Sequence, residues 1–219
     1  MGTTRQIIGK RRKVSAVQSR GVARREALIK AAVDLLETED PQDISFRQIA
    51  QKADVPEGSA YHFYANKYDL FAAVASEMSH MFLKAQSKSI KRKPIKTWHD
   101  IVDVLIERGA EIYRQNTVAR VLLIGSTVPP EIKQVDQENN LEIAEVMKDR
   151  FQEYFVLPDI PSFERKLFYF IEMTDLLFSI NLRETGGIQD DIVEEAKRVG
   201  KGYLSTYLPS VLTPKSKDA

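Results

Sequence analysis

The chain has no cysteine and only three histidines in 219 residues, and each shortage removes a class of chemistry. Without thiols there is no disulfide, no cysteine nucleophile and no thiolate metal site. His62, His80 and His99 do not stand at HExxH spacing, and no GxSxG elbow or phosphate-binding glycine loop occurs. No catalytic residue, cofactor or metal is therefore expected. Long hydrophobic runs are missing too. No apolar run follows the basic N-terminus, as a secretory signal would require, and the most apolar stretch, Leu167 to Leu182, is interrupted by Glu172 and Asp175. These absences predict a non-enzymatic, soluble, cytoplasmic protein.

What remains suits a mostly helical globular protein large enough to bury a substantial core: 43% hydrophobic residues and nine prolines. The net charge of +1 hides an asymmetry. Residues 1–96 carry 18 Lys and Arg against 10 Asp and Glu, a net +8, whereas residues 97–219 carry 14 against 21, a net −7. Such a division is expected where one half meets phosphate and the other does not.

The stretch from Ser45 to Leu70, SFRQIAQKADVPEGSAYHFYANKYDL, lies in the basic half. Ser45 and Gln48 make a capping box, and Phe46, Ile49, Ala50 and Ala53 fall on one face of a short helix. Asp54 tolerates a left-handed turn and Pro56 biases Val55 towards extended backbone, so the helix breaks there. A second short helix is predicted over Glu57 to Tyr64, and Asn66 with Asp69 starts a third. Two short helices on a tight turn form the helix-turn-helix plan.

GSAYHFYANKYDL resembles the TetR-type signature in Gly58, Ser59, Tyr61, Phe63 with Tyr64, Lys67 and Leu70. Ile49-Ala50 and Ala53-Asp54-Val55-Pro56 resemble the segment that precedes it, with Asp54 where glycine is usual. The specific match covers roughly residues 22 to 75. The resemblance implies an all-α fold with an N-terminal three-helix DNA-binding domain and a larger C-terminal helical domain for effector binding and dimerisation. It also implies a transcriptional regulator, a repressor in most of the family, that binds a palindromic operator on double-stranded DNA as a homodimer. A small hydrophobic or amphipathic effector would release it. The rival reading is a DNA-bound structural or protein-partner adaptor on the same fold, without an effector.

Domain limits follow from pattern and resemblance together. Residues 1–20, with Arg5, Lys10, Arg11, Arg12, Lys13 and Arg20 and no acidic residue, read as a flexible basic arm. Residues 21–68 form the helix-turn-helix domain, beginning with a helix from Val22 to Glu39. Residues 69–210 form the effector and dimerisation domain, and 211–219 a loose tail. Within the larger domain, capping pairs or prolines start helices at Thr97, Pro130 and Ser162, and Gly200 allows close backbone approach in the last one. Asn139 and Asn140 interrupt the apolar stripe of the long helix after Pro130, which marks a kink or a polar spot facing a cavity.

The candidate DNA-binding set is Arg24, Ser45, Phe46, Arg47, Pro56, Glu57, Gly58, Ser59, Tyr61, His62 and Lys67. Ser45, Arg47, Tyr61 and Lys67 are phosphate candidates, whereas Glu57, Gly58, Ser59 and His62 lie at the base-reading end of the second helix. Glu57 suits a cytosine amino group and His62 a guanine acceptor. Trp98, Tyr113, Met147, Phe151, Phe155, Phe168 and Met173 are candidates to line an effector pocket, although any one of them taken singly is more often a plain core residue. By the resemblance, the last two helices pair across a two-fold axis, with Phe170, Leu177, Phe178, Val199 and Tyr203 as interface candidates.

Overall fold

Nothing in the first forty residues breaks a helix strongly, because the first proline is Pro41. In the computed structural model, which describes residues 3–90, 94–126 and 128–215, helix α1 accordingly runs Thr3–Leu36. The backbone of the expected flexible arm is thus helical from Thr3; the side chains of residues 1–19 lie outside the described ones. The helix stops three residues before Glu39, where Glu39 N–H still bonds Leu35 O and Asp40 Oδ1 accepts from Gln42 N–H at 2.8 Å.

The chain divides into two units, residues 1–74 and 75–219, six residues beyond the expected limit and inside one helix. In the first unit, α1 packs on α2 (Phe46–Lys52) and α3 (Glu57–Ala60) around Leu28, Ala32, Leu36, Ile44, Ile49 and Ala60, all buried. Helix α4 (Lys67–Ser87) begins there, with Leu70, Phe71 and Val74 fully buried.

The second unit contains the rest of α4 and five helices: α5 (Trp98–Gln115), α6 (Thr117–Leu123), α7 (Pro130–Tyr154), α8 (Phe163–Thr185) and α9 (Asp190–Leu204). Its main packings are α7 on α8, α8 on α9, and α5 on α9. The Thr97–Asp100 capping box forms, with Asp100 Oδ2 accepting from Thr97 N–H at 2.8 Å. Ser162 does not cap α8 by its side chain; it takes a left-handed turn (φ 53°) at the helix entry. Gly200 behaves as its position suggests: a Cβ there would collide with the Phe170 ring.

The expected loose tail is pinned as far as Lys215. Strand β1 (Phe155–Val156) pairs antiparallel with β2 (Thr213–Pro214), Lys215 N–H bonds Tyr154 O at 2.8 Å, and Leu212 is buried. One apolar anchor and a two-residue ladder suffice to hold the segment down. Among the described residues no helix is long and apolar enough to cross a membrane.

Candidate nucleic-acid interface and interior cavity

The reading head is built from short-range hydrogen bonds. Ser45 Oγ accepts from Gln48 N–H at 3.2 Å, Gln48 Oε1 accepts from Ser45 N–H at 2.7 Å, and α2 starts there. Asp54 sits at φ 53°, the left-handed position that lets the chain reverse. Helix α3 is a single turn. The predicted helix over Glu57 to Tyr64 tightens after Ala60, where His62 and Phe63 N–H bond the carbonyls three residues back and Tyr64 turns inward. Asn66 Oδ1 then accepts from Tyr68 N–H (2.7 Å) and Asp69 N–H (3.1 Å) to open α4.

This leaves most of the candidate polar side chains at the surface. Arg24, Ser45, Arg47, Pro56, Glu57, Gly58, Tyr61 and His62 are exposed and Ser59 half-buried, and an open groove crosses the turn between Arg47 and Glu57. No Cβ covers the backbone at Gly58, and one placed there would meet open space. Tyr61 is 51% exposed, and its ring rests 4.8 Å from the Phe46 ring.

Two candidates have other work. Phe46 is 7% exposed, so it supports the Tyr61 ring from below rather than meeting DNA. The Lys67 ammonium donates to the carbonyls of Pro41, Gln42 and Ile44, each at 2.9 Å. An ammonium has three donors, so all are spent on the loop that delivers the chain into α2. In this structure Lys67 clamps the reading head. Arg25, beside Arg24, donates to the Tyr64 hydroxyl at 3.1 Å.

In the second unit a cavity of about 40 Å³ lies between α4, α5, α7 and α8. Of the seven pocket candidates only Tyr113 and Met147 line it; Met173 borders an open cleft beside α8 instead. Trp98 is buried with its Nε1–H on Pro209 O at 2.9 Å, Phe151 stacks edge-on to Phe163, Phe155 lies in β1, and Phe168 is packed under Arg165. These four are core. Phe170 and Phe178, expected at a dimer interface, are buried inside the protomer and line the cavity, since α8 turns them towards α5 and α9. Leu177, Val199 and Tyr203 are half-buried at the surface.

Asn140 is the polar spot its stripe suggested: 4% exposed, it lines the cavity and donates to Glu172 Oε1 at 3.0 Å. Of the other polar residues here, Lys133 and Asp136 were not singled out from sequence. Asp136 is 2% exposed with Lys133 Nζ at 2.8 Å, and Lys133 also reaches Glu172 at 3.3 Å. Tyr113 donates to Asp175 Oδ1 at 3.0 Å. Burial, and then the Asp136 charge, pushes the Asp175 carboxyl up to about 8, while the Tyr113 hydrogen bond pulls the other way. Asp175 is half-buried and borders both the cavity and the outer cleft. Burial also raises the Asp136 carboxyl, with Lys133 opposing, and raises the Tyr113 hydroxyl well above its ordinary range. The signal was present: Ile132, Asp136, Asn140, Ile143 and Met147 share one helical stripe, so a carboxylate stood in core register.

The comparisons agree with this architecture. Residues 28–74 match the model described as bacterial regulatory proteins of the tetR family, and residues 96–208 match the tetracyclin repressor-like C-terminal domain. No curated protein matches the sequence. Among solved structures, a TetR-family transcriptional regulator from Streptomyces coelicolor is 21% identical with a TM-score of 0.64, covering 86% of this chain and 99% of that one. The multidrug binding protein EbrR, complexed with imidazole, is 19% identical with a TM-score of 0.60, covering 89% and 98%. SmeT of Stenotrophomonas maltophilia, in its triclosan complex, is 16% identical with a TM-score of 0.55, covering 90% and 98%. With the helix-turn-helix and the helical second unit both matched, this chain belongs to the TetR family of DNA-binding transcriptional regulators.

Proposed function

We propose that the protein is a cytoplasmic repressor that binds a palindromic operator as a homodimer and is released by a small effector with an apolar body. The observation that carries the reading is the sorting of side chains on α2 and α3. Phe46, Ile49 and Ala60 are buried, while Arg47, Glu57, Gly58, Tyr61 and His62 are exposed. Arg24, Ser45, Arg47 and Tyr61 serve as phosphate contacts, with Pro56, Glu57, Gly58, Ser59 and His62 at the base edges. One such head reads few base pairs, so two heads are needed, and a two-fold pair reads a palindrome.

The dimer forms through α8 and α9. Tyr169 (42% exposed) and Leu176 (59%) stand with Met173 and Leu177 on one apolar side of α8, and Val199 and Tyr203 face outward on α9. The effector occupies the cavity lined by Tyr113 and Met147 and favours a conformation in which the two heads are wrongly spaced. The complexes of EbrR with imidazole and SmeT with triclosan, and the description of SmeT as the repressor of a multidrug efflux pump, support a ligand-responsive repressor on this fold. The buried polar groups of the cavity favour it over an adaptor with a filled core.

Selection of bound duplexes from a random pool at near-physiological salt tests the proposal. Recovery of a palindrome is the expected result; recovery of no enriched sequence would remove the operator and with it the repressor reading.

A further inference from the structure

The cavity between α4, α5, α7 and α8 has an uneven chemistry. Its walls are apolar and aromatic, with Tyr113 ring-to-ring at 4.8 Å from Phe82 and 5.9 Å from Phe178. Its polar groups at the α7–α8 side are acidic: Asp136 and Asp175 line it and Glu172 stands just behind. Among the described residues Lys133 is the one cation paired with these carboxyls, and its Nζ lies between Asp136 and Glu172 (2.8 and 3.3 Å). That leaves Asp175 with a neutral partner, the Tyr113 hydroxyl.

A second observation comes from the opposite wall. Gln86, 2% exposed at the end of α4, gives its Nε2–H to Leu105 O at 3.0 Å, and its Oε1 is buried without a partner. Gln86 lines the same cavity. A buried acceptor left unsatisfied costs about 1–3 kcal/mol, and a donor from an occupant would relieve it. Thus one wall carries an acceptor without a partner, the Gln86 Oε1, and the other a carboxyl whose hydrogen bond comes from a neutral hydroxyl.

We propose that this cavity is a site for an organic ammonium, whose N–H donors meet Asp175 and the Gln86 Oε1 while its apolar body lies against Phe82, Tyr113 and Phe178. The inference rests on the small-molecule reading given above and specifies its chemistry. A carboxylate ligand is disfavoured because it would add a fourth acid. A neutral apolar ligand would fill the space but leave Gln86 Oε1 unpaired. A volume of about 40 Å³ holds roughly three waters, so the head group fits the cavity, and the body enters as Met147, a flexible side chain, gives way.

Occupancy by a cation also moves a proton. Asp175 is held up to about 8 by burial and the Asp136 charge, with Tyr113 and Lys133 opposing and Glu172 adding to the rise. At neutral pH it is therefore mostly protonated, and an arriving ammonium draws it to the carboxylate with release of that proton.

The test compares three probes of one shape on the full chain at pH 7: benzylammonium, benzyl alcohol and benzoate. The expected order by calorimetry is benzylammonium tightest, by on the order of tenfold over the alcohol, with benzoate not bound. Heats measured in buffers of different ionisation enthalpy are expected to show proton release for the ammonium alone. Asp175→Asn, which keeps an acceptor for Tyr113, and Asp136→Asn are each expected to weaken benzylammonium by roughly tenfold and to spare the alcohol. Alcohol or benzoate binding as tightly as the ammonium overturns the cationic assignment but leaves a small-molecule sensor standing. No binding by any of the three overturns the assignment together with the sensor reading.

Discussion

At the residue scale, Arg47 and Lys67 stand in different surroundings, and salt tests whether their duties differ. Arg47 is exposed on α2, whereas the three donors of Lys67 are used on Pro41, Gln42 and Ile44. Each phosphate neutralised adds about 0.9 to the slope of log affinity against log salt. Arg47→Ala is expected to lower that slope by about 1 for each protomer, as filter binding over a salt series would show. Lys67→Met is expected to leave the slope unchanged and to cost about 1–3 kcal/mol of stability, read by urea denaturation. A lowered slope in the methionine variant would return Lys67 to the phosphate set. Asp175 supplies a pH signature at the same scale. Its folded value, about 8, lies above the ordinary carboxylate value of 3.8, so the folded chain holds a proton that the unfolded chain has lost. Stability from this group is complete below about pH 4 and falls as pH rises towards 8, by at most about 1.4 kcal/mol per unit. Asp175→Asn is expected to flatten the decline in thermal midpoint between pH 5 and pH 8, an interval chosen about those two values. An equal decline in both proteins would assign it to other groups.

At the element scale, helix existence was legible and helix termination less so. The capping boxes at Ser45 and Thr97, the left-handed Asp54 and the prolines before α3 and α7 are local chemistry, and a local pattern records them directly. Tertiary choices are not written locally. Phe170 and Phe178 belong to the same apolar run as Tyr169 and Leu176, but burial on α5 and α9 selects the first pair and leaves the second outside. Lys67 matches a family motif, yet which atoms its ammonium meets depends on a loop some twenty-five residues earlier. Leu212 likewise pins a tail whose composition alone reads as loose. Gly200 is the case where sequence and packing agree, and it tests the α8–α9 contact. Alanine there gains about 1 kcal/mol of helix propensity, but its methyl meets the buried ring of Phe170, which would have to shift towards the cavity it lines. Overpacking of this kind costs about 1–3 kcal/mol, so Gly200→Ala is expected to lower the urea midpoint. A raised midpoint would mean that α9 moves away from α8 at little cost.

At the scale of the whole molecule, a basic N-terminal half of net +8 and an acidic C-terminal half of net −7 divide the labour between DNA and everything else. The acidic half gains nothing from approaching phosphate, so its apolar α8 surface is free to serve assembly. Leu176, 59% exposed on that helix and not itself part of the cavity lining, is the residue to change. Leu176→Glu places a charge where two copies of α8 would meet and leaves each protomer's core untouched. The variant is expected to sediment as a species of 25.0 kDa, with the parent at twice that mass. Its thermal midpoint at low concentration should match the parent's, because an exposed leucine contributes little within the protomer. Losing the second head turns a bivalent contact into a univalent one, so affinity for a palindromic duplex is expected to fall by on the order of a hundredfold. A duplex carrying a single half-site, which engages one head, should be bound about equally by both proteins. A variant that remains dimeric would move the interface off α8, and a monomeric variant that kept its palindrome affinity would detach DNA reading from dimerisation altogether.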